Sequence, residues 1–350
     1  MDLSYFNARV RGRMGRLLRE PDYAPLFAAE GPAELIDRLR SSAYGARIET
    51  ASARFERTDE ILSSAVNDGL SSDLKTLWEE APPEARPLLK AVVVEWEVFD
   101  LKSIVRGISR SVKREEIQRD LIPAGEFDSS ALRMLLSAED IPGVVGFLDT
   151  WGSPYAAPLK EGMELYGKRG STGEMELRLD LHAFGRLIGI LKNEGRNGRL
   201  LESIISLRID ARNIATILKI AGEGYSIDGA ASFFIEGGRA LKRKDFLRLS
   251  SSKDREEALK GLVIAVKDEE LRSILSATEP GALHDLEERL EVASIRRLKR
   301  LSVVEPLSIA PAASFVQMKA REIRNLRLIE RSKAFGIPEV ELKRLVKYPI

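Results

Sequence analysis

The stretch Ile209-Asp-Ala-Arg-Asn-Ile-Ala-Thr-Ile-Leu-Lys219 occurs twice more in altered letters, as Glu97-Val-Phe-Asp-Leu-Lys-Ser-Ile-Val-Arg106 and as Glu322-Ile-Arg-Asn-Leu-Arg-Leu-Ile-Glu-Arg331. In each copy an acid (Glu97, Asp210, Glu322) stands three residues ahead of Asp100, Asn213 or Asn325, which is followed at once by Leu or Ile. An aliphatic residue comes four positions after the Asp or Asn, and a basic residue two beyond that. Asp100, Asn213 and Asn325 lie 113 and 112 residues apart. A near-constant period marks an internal repeat, and such a period is sought before any fold is assigned.

A second landmark keeps the same offset. Leu121-Ile-Pro-Ala-Gly125 ends 25 residues after Asp100, and Phe234-Ile-Glu-Gly-Gly238 ends 25 residues after Asn213. Each turn is followed by a Leu-rich amphipathic run, Phe127 to Leu136 and Leu241 to Leu249. In a chain of 350 residues this period predicts three units, 1–112, 113–222 and 223–350, with the last helices free to pack back on the first unit.

Around the motif copies Val98, Leu101, Ile104, Val105 and Ile108 recur three or four apart, the spacing of one buried stripe on a helix. Long helices are predicted from Glu84 to Val112, Met175 to Lys192, Arg199 to Ala221, His284 to Leu301 and Pro311 to Gly336, with shorter ones between them. Ser4 is read as the cap of a first helix ending before Pro21, Ile48 to Val66 as one polar helix, and Asp68-Gly69 as a break. Gly167-Lys-Arg-Gly-Ser-Thr-Gly173 reads as a mobile loop; it lacks the order of a phosphate-binding loop and follows no strand. No alternating or β-branched run is bounded by turns, so the expected fold class is all-α.

Composition narrows the function. Lys plus Arg number 55 against 54 Asp plus Glu, which leaves no basic excess for nucleic acid. There is no cysteine, hence no disulfide, thiolate metal site or thiol nucleophile. The amino-terminal residues lack the pattern of a secretory signal, and the most apolar run, Leu88 to Trp96, falls well short of the ~20 residues a bilayer needs. His182 and His284 have no companions that spell a triad or a metal site and read as structural.

The repeated pairs Glu97/Asp100, Asp210/Asn213 and Glu322/Asn325 are the polar constellation to weigh. Residues three apart share a helix face and could hold a divalent cation, but one carboxylate plus one amide is a poor set for a hard ion. The preferred reading is that each pair bonds the backbone of a nearby turn, Gly125 or Gly238. No catalytic residue, cofactor or metal is expected. The arginines of the first helix, among them Arg9, Arg11 and Arg13, are candidate contacts for a partner, although a solvated face is the plainer reading.

Together Tyr5-Phe-Asn-Ala-Arg-Val-Arg11, the turns ending at Gly125 and Gly238, Ser-Pro-Tyr155, Pro-Leu-Ser-Ile-Ala-Pro311 and Glu-Ile-Arg-Asn-Leu-Arg-Leu-Ile329 resemble the C subunit of the archaeal and bacterial A/V-type ATPases, the family that includes the d subunit of vacuolar proton pumps. The resemblance runs the length of the chain. Ala124, Ala156 and Ala310 stand where the family's turns carry glycine, which argues against positive backbone angles at 124 and 156.

The resemblance implies three similar helical domains in a pseudo-threefold, funnel-shaped arrangement, without catalytic activity. It implies a cytoplasmic protein held at the membrane through the rotor ring of proteolipid (c/K) subunits. That protein would receive the central shaft, built from the D and F subunits, and pass torque during ATP-linked proton or sodium transport, with no small-molecule substrate, no nucleic acid and no membrane insertion. A generic helical-repeat adaptor is the alternative, but its repeats usually run about 30–45 residues. A metal-dependent enzyme using the acid and amide pairs is weaker still.

Overall fold

The three motif copies lie on three long helices, Arg86–Ser109, Gly195–Ile220 and Ala310–Ala334. They belong to a computed structural model that describes residues 2–169 and 172–348. Among the described residues all regular structure is helical, apart from one isolated bridge between Ala124 and Phe127, so the chain is all-α. The Arg86–Ser109 helix contains Val92-Val-Val94, β-branched residues of modest helix propensity. It is helical nevertheless because burial outweighs propensity: Leu88, Val94, Leu101, Ile104 and Val105 are fully enclosed.

Its end is a left-handed cap. Ser111 takes φ 54 while the Val112 N–H reaches the Gly107 carbonyl at 2.9 Å. The Ala310–Ala334 helix closes in the same way at Gly336, with φ 67, where glycine removes the strain that Ser111 carries.

The chain divides into two compact units, Met1–Ala183 with Pro311–Tyr348, and Phe184–Ala310. In the first, Gly45–Ser52 packs on Thr58–Glu80, while Ser129–Leu136 and Ile141–Thr150 start at Asp128 and Asp140, whose carboxylates accept backbone N–H groups. In the second, Gly195–Ile220 lies along Leu283–Val304, with the Arg208 side chain donating to Ser294 at 2.9 Å. Three short helices, Arg243–Ser250, Arg255–Ala265 and Glu269–Ser276, cover that pair through Phe246, Leu262 and Leu271.

Some predicted boundaries move. The first helix stops at Met14, and Pro21 helps open the next one, Glu20–Phe27, where a missing N–H costs nothing. Asp68-Gly69 does not break the chain: Thr58–Glu80 runs through it, with Gly69 buried beside the Arg47 side chain. Of the predicted loop 167–173, Gly170 and Ser171 lie outside the described residues, and the helix Ala156–Arg169 reaches further than expected. Positions 124 and 156 have ordinary backbone angles.

Candidate functional site

All six residues of the repeated pairs are buried, and each pair ties its helix to a distant stretch of backbone. On the first helix the Asp100 carboxylate accepts the Ile122 N–H at 2.8 Å, and Glu97 accepts the Glu126 N–H at 2.8 Å. The Tyr155 hydroxyl donates to the other Glu97 oxygen at 2.5 Å. Between these two anchors sits Gly125, with φ 62. A Cβ there would fall 1.8 Å from the Glu97 carboxylate, so the turn can touch the acid only as glycine.

On the second helix Asn213 bonds both ways with one residue: it accepts the Ile235 N–H at 3.0 Å and donates to the Ile235 carbonyl at 2.9 Å. Asp210 takes three backbone N–H groups, from Arg239, Ala240 and Leu241, at 2.8, 2.8 and 3.0 Å. Gly238 leans on it, since a Cβ would fall 2.3 Å from Oδ1. Position 268, where a tyrosine would match Tyr155, is Asp268, which instead caps a helix and pairs with Arg297. The third backbone donor replaces the missing hydroxyl.

The third clasp is assembled from both ends of the sequence. Asn325 donates to the Lys347 carbonyl at 3.1 Å. Glu322 accepts the Leu18 N–H at 2.5 Å, the Tyr44 hydroxyl at 2.5 Å and the Lys319 ammonium at 2.8 Å. Lys319 also donates to the Tyr44 oxygen at 2.7 Å and lies 4.2 Å from the centre of that ring. In all three clasps the amide or acid finds its backbone partner 22 residues on, at Ile122, Ile235 and Lys347. The acid's partner is 29 residues on in the first two, at Glu126 and Arg239, and in the third it is Leu18.

Electrostatics follow from burial. Enclosure pushes the Asp100 carboxyl well above the usual carboxylate range, against the opposing pull of the Ile122 N–H and the Arg327 charge, with Glu97 adding to the rise. Burial also raises Asp210, and the three N–H donors oppose it. The Tyr44 phenol is driven far up by burial and then by the neighbouring Glu322, so it donates rather than ionises. A hard cation would have to displace these donors from the carboxylates. Among the described residues no three His, Asp or Glu side chains converge.

The other expected contacts are placed as follows. Arg9 and Arg13 both pair with Glu80, Arg13 through two bonds of 2.9 Å, while Arg11 is exposed. His182 sets its ring edge against Tyr155 with centroids 5.8 Å apart. Sequence reasoning missed Leu18, Lys319 and the hydroxyls of Tyr44 and Tyr155 as members of the clasps. The two tyrosines carried a readable signal: both follow Ser-x, at Ser42 and Ser153, whose side chains accept the tyrosine N–H, and they lie 111 residues apart.

A sequence model of the ATP synthase (C/AC39) subunit matches residues 6–345. The chain belongs to the C/AC39 family. It is 30% identical over 340 residues to the A-type ATP synthase C subunit of Halorubrum lacusprofundi, covering 97% of this chain and 95% of that protein. With the A-type ATP synthase C subunit of Haloferax volcanii the identity is 30% over 342 residues, 95% of this chain and 94% of the other. The corresponding protein of Methanosphaera stadtmanae is 25% identical over 353 residues, 98% of this chain and 87% of that one. In this C/AC39 chain no helix among the described residues is long and apolar enough to cross a membrane.

Proposed function

We propose that the chain is a non-catalytic central-stalk component of an A/V-type ATP synthase or ATPase, seated on the cytoplasmic face of the membrane rotor ring and receiving the shaft formed by the D and F subunits. Its task is to pass torque between shaft and ring. Three helical modules in a pseudo-threefold, funnel-shaped collar are the arrangement that suits this task. The observation that carries the reading beyond family membership is the third clasp: Glu322 is held by Leu18 and Tyr44, so the last motif helix is locked to the beginning of the sequence. A part that carries torque must be stiff, and buried charge-assisted bonds are suited to stiffening it. Of the arginines expected to meet a partner, Arg9 and Arg13 pair with Glu80, while Arg11 is exposed and in no ion pair among the described residues.

The test is a pull-down with the purified ring and the D and F shaft. The chain should bind each of them and bridge the two, and Arg11→Glu should weaken one of the contacts. Failure to bind either ring or shaft would defeat the proposal.

A further inference from the structure

A cavity of about 760 Å³ opens among Thr58–Glu80, Arg114–Asp120, the end of Arg86–Ser109 and the end of Ala310–Ala334. Its size falls within the range of about 300–1,000 Å³ usual for small-molecule pockets. Six arginines line it against four carboxylates. Four of those arginines are neutralised in ion pairs, as Arg331 is by Asp120. Among the described residues Arg110 and Arg327 have no ion-pair partner.

Arg327 is the more telling of the two. It is buried, and its N–H groups go only to neutral oxygens: the Asp120 carbonyl at 2.8 Å, Asn67 Oδ1 at 2.7 Å and the Leu121 carbonyl at 3.4 Å. Its Nε has no partner among the described residues. A guanidinium enclosed in this way keeps its whole charge with little water to screen it, and burial lowers its pKa to about 10. At the rim Phe335 is 82% exposed, an aromatic face with nothing on it. Two guanidinium groups outside any ion pair among the described residues, with an open ring at the rim of the same cavity, suit a ligand with phosphates at one end and a planar base at the other.

We propose that this cavity binds a nucleoside polyphosphate, with Arg110 meeting the phosphates, the enclosed Arg327 charge attracting them from within the wall, and Phe335 stacking on the base. Glu116 and Glu330, the lining carboxylates outside any ion pair among the described residues, would repel a bare polyphosphate and face the divalent ion that accompanies one. Binding is therefore tighter with magnesium. The site is independent of the coupling role, and its failure would leave the binding of ring and shaft untouched.

Isothermal titration of the full chain with magnesium ATP and with magnesium pyrophosphate tests the assignment. Both should bind, ATP the more tightly. Arg110→Ser should weaken both about tenfold through loss of a charge-assisted contact. Phe335→Ala should weaken ATP about fivefold or more and leave pyrophosphate unchanged. Arg110 and Phe335 are exposed, so these variants should retain the parent's melting temperature. No binding of either ligand, or affinities indifferent to Arg110→Ser, would overturn the site. Equal effects of Phe335→Ala on the two ligands would overturn the nucleotide.

Discussion

Asp100 differs from its two counterparts by a single atom type, and that difference has a thermodynamic consequence. Asn213 and Asn325 each turn an amide nitrogen toward a backbone carbonyl, whereas the corresponding Asp100 Oδ2 is buried without a hydrogen-bond partner among the described residues. Because its folded pKa lies above its unfolded value, Asp100 takes up a proton on folding. Stability is then lost as pH rises from about 4 toward the folded pKa, and the loss persists above it. Asp100→Asn removes the buried charge and supplies the donor that the other copies use. The variant should be more stable than the parent by about 1–3 kcal/mol at pH 7, with the gap closing toward pH 4. Urea unfolding at a series of pH values measures it; a gap that is absent at neutral pH, or that does not change with pH, would refute the argument.

At the scale of elements, the apolar spacing that announced the long helices was legible because burial and periodicity agree along most of their length. What misled was punctuation. Pro21 and Asp68-Gly69 look like stops, but the first occupies an opening turn and the second a close packing point on Arg47, distinctions that depend on tertiary neighbours. Lys319 was illegible for a related reason. Its counterparts one and two periods back are Leu207 and Val94, so a charge stands where the repeat has a core aliphatic. The compensating Tyr44 lies 275 residues away. The Lys319 ammonium balances a Glu322 enclosed with it, and breaking one side of such a pair leaves the other charge buried. Lys319→Met should therefore cost about 3–5 kcal/mol, with a large part recovered in Lys319→Met/Glu322→Gln. Denaturant unfolding of the single and double variants decides; a double variant no more stable than the single would show that the lost stability is not that of a stranded carboxylate.

For the molecule as a whole, the period near 112 was readable from the motif copies, and each copy meets its backbone partner at the same offset of 22 residues. The route by which the third clasp is completed was not readable. No local pattern says that Leu18 and Tyr44 serve Glu322, because in the first two copies the acid's partners follow it in sequence. Further contacts join the same two ends: Tyr23 meets Tyr348 edge to face at 5.1 Å, and Lys333 donates to the Phe27 carbonyl at 2.5 Å. If residues 1–57 are in effect the completing half of the third clasp, they should act without a covalent link to residue 58. The connection 53–57 is largely exposed and lies between Gly45–Ser52 and Thr58–Glu80, a favourable place for a cut. Residues 58–350 produced alone should be poorly folded, since Glu322 loses two of its donors and the core around Tyr44 is opened. Co-expression of 1–57 as a separate piece should give a complex that survives size exclusion and regains cooperative unfolding. Tyr44→Phe together with Lys319→Met should abolish that rescue. A 58–350 fragment that unfolds cooperatively with the full chain's stability would mean that the N-terminal segment is an accessory and not the missing half of the third clasp.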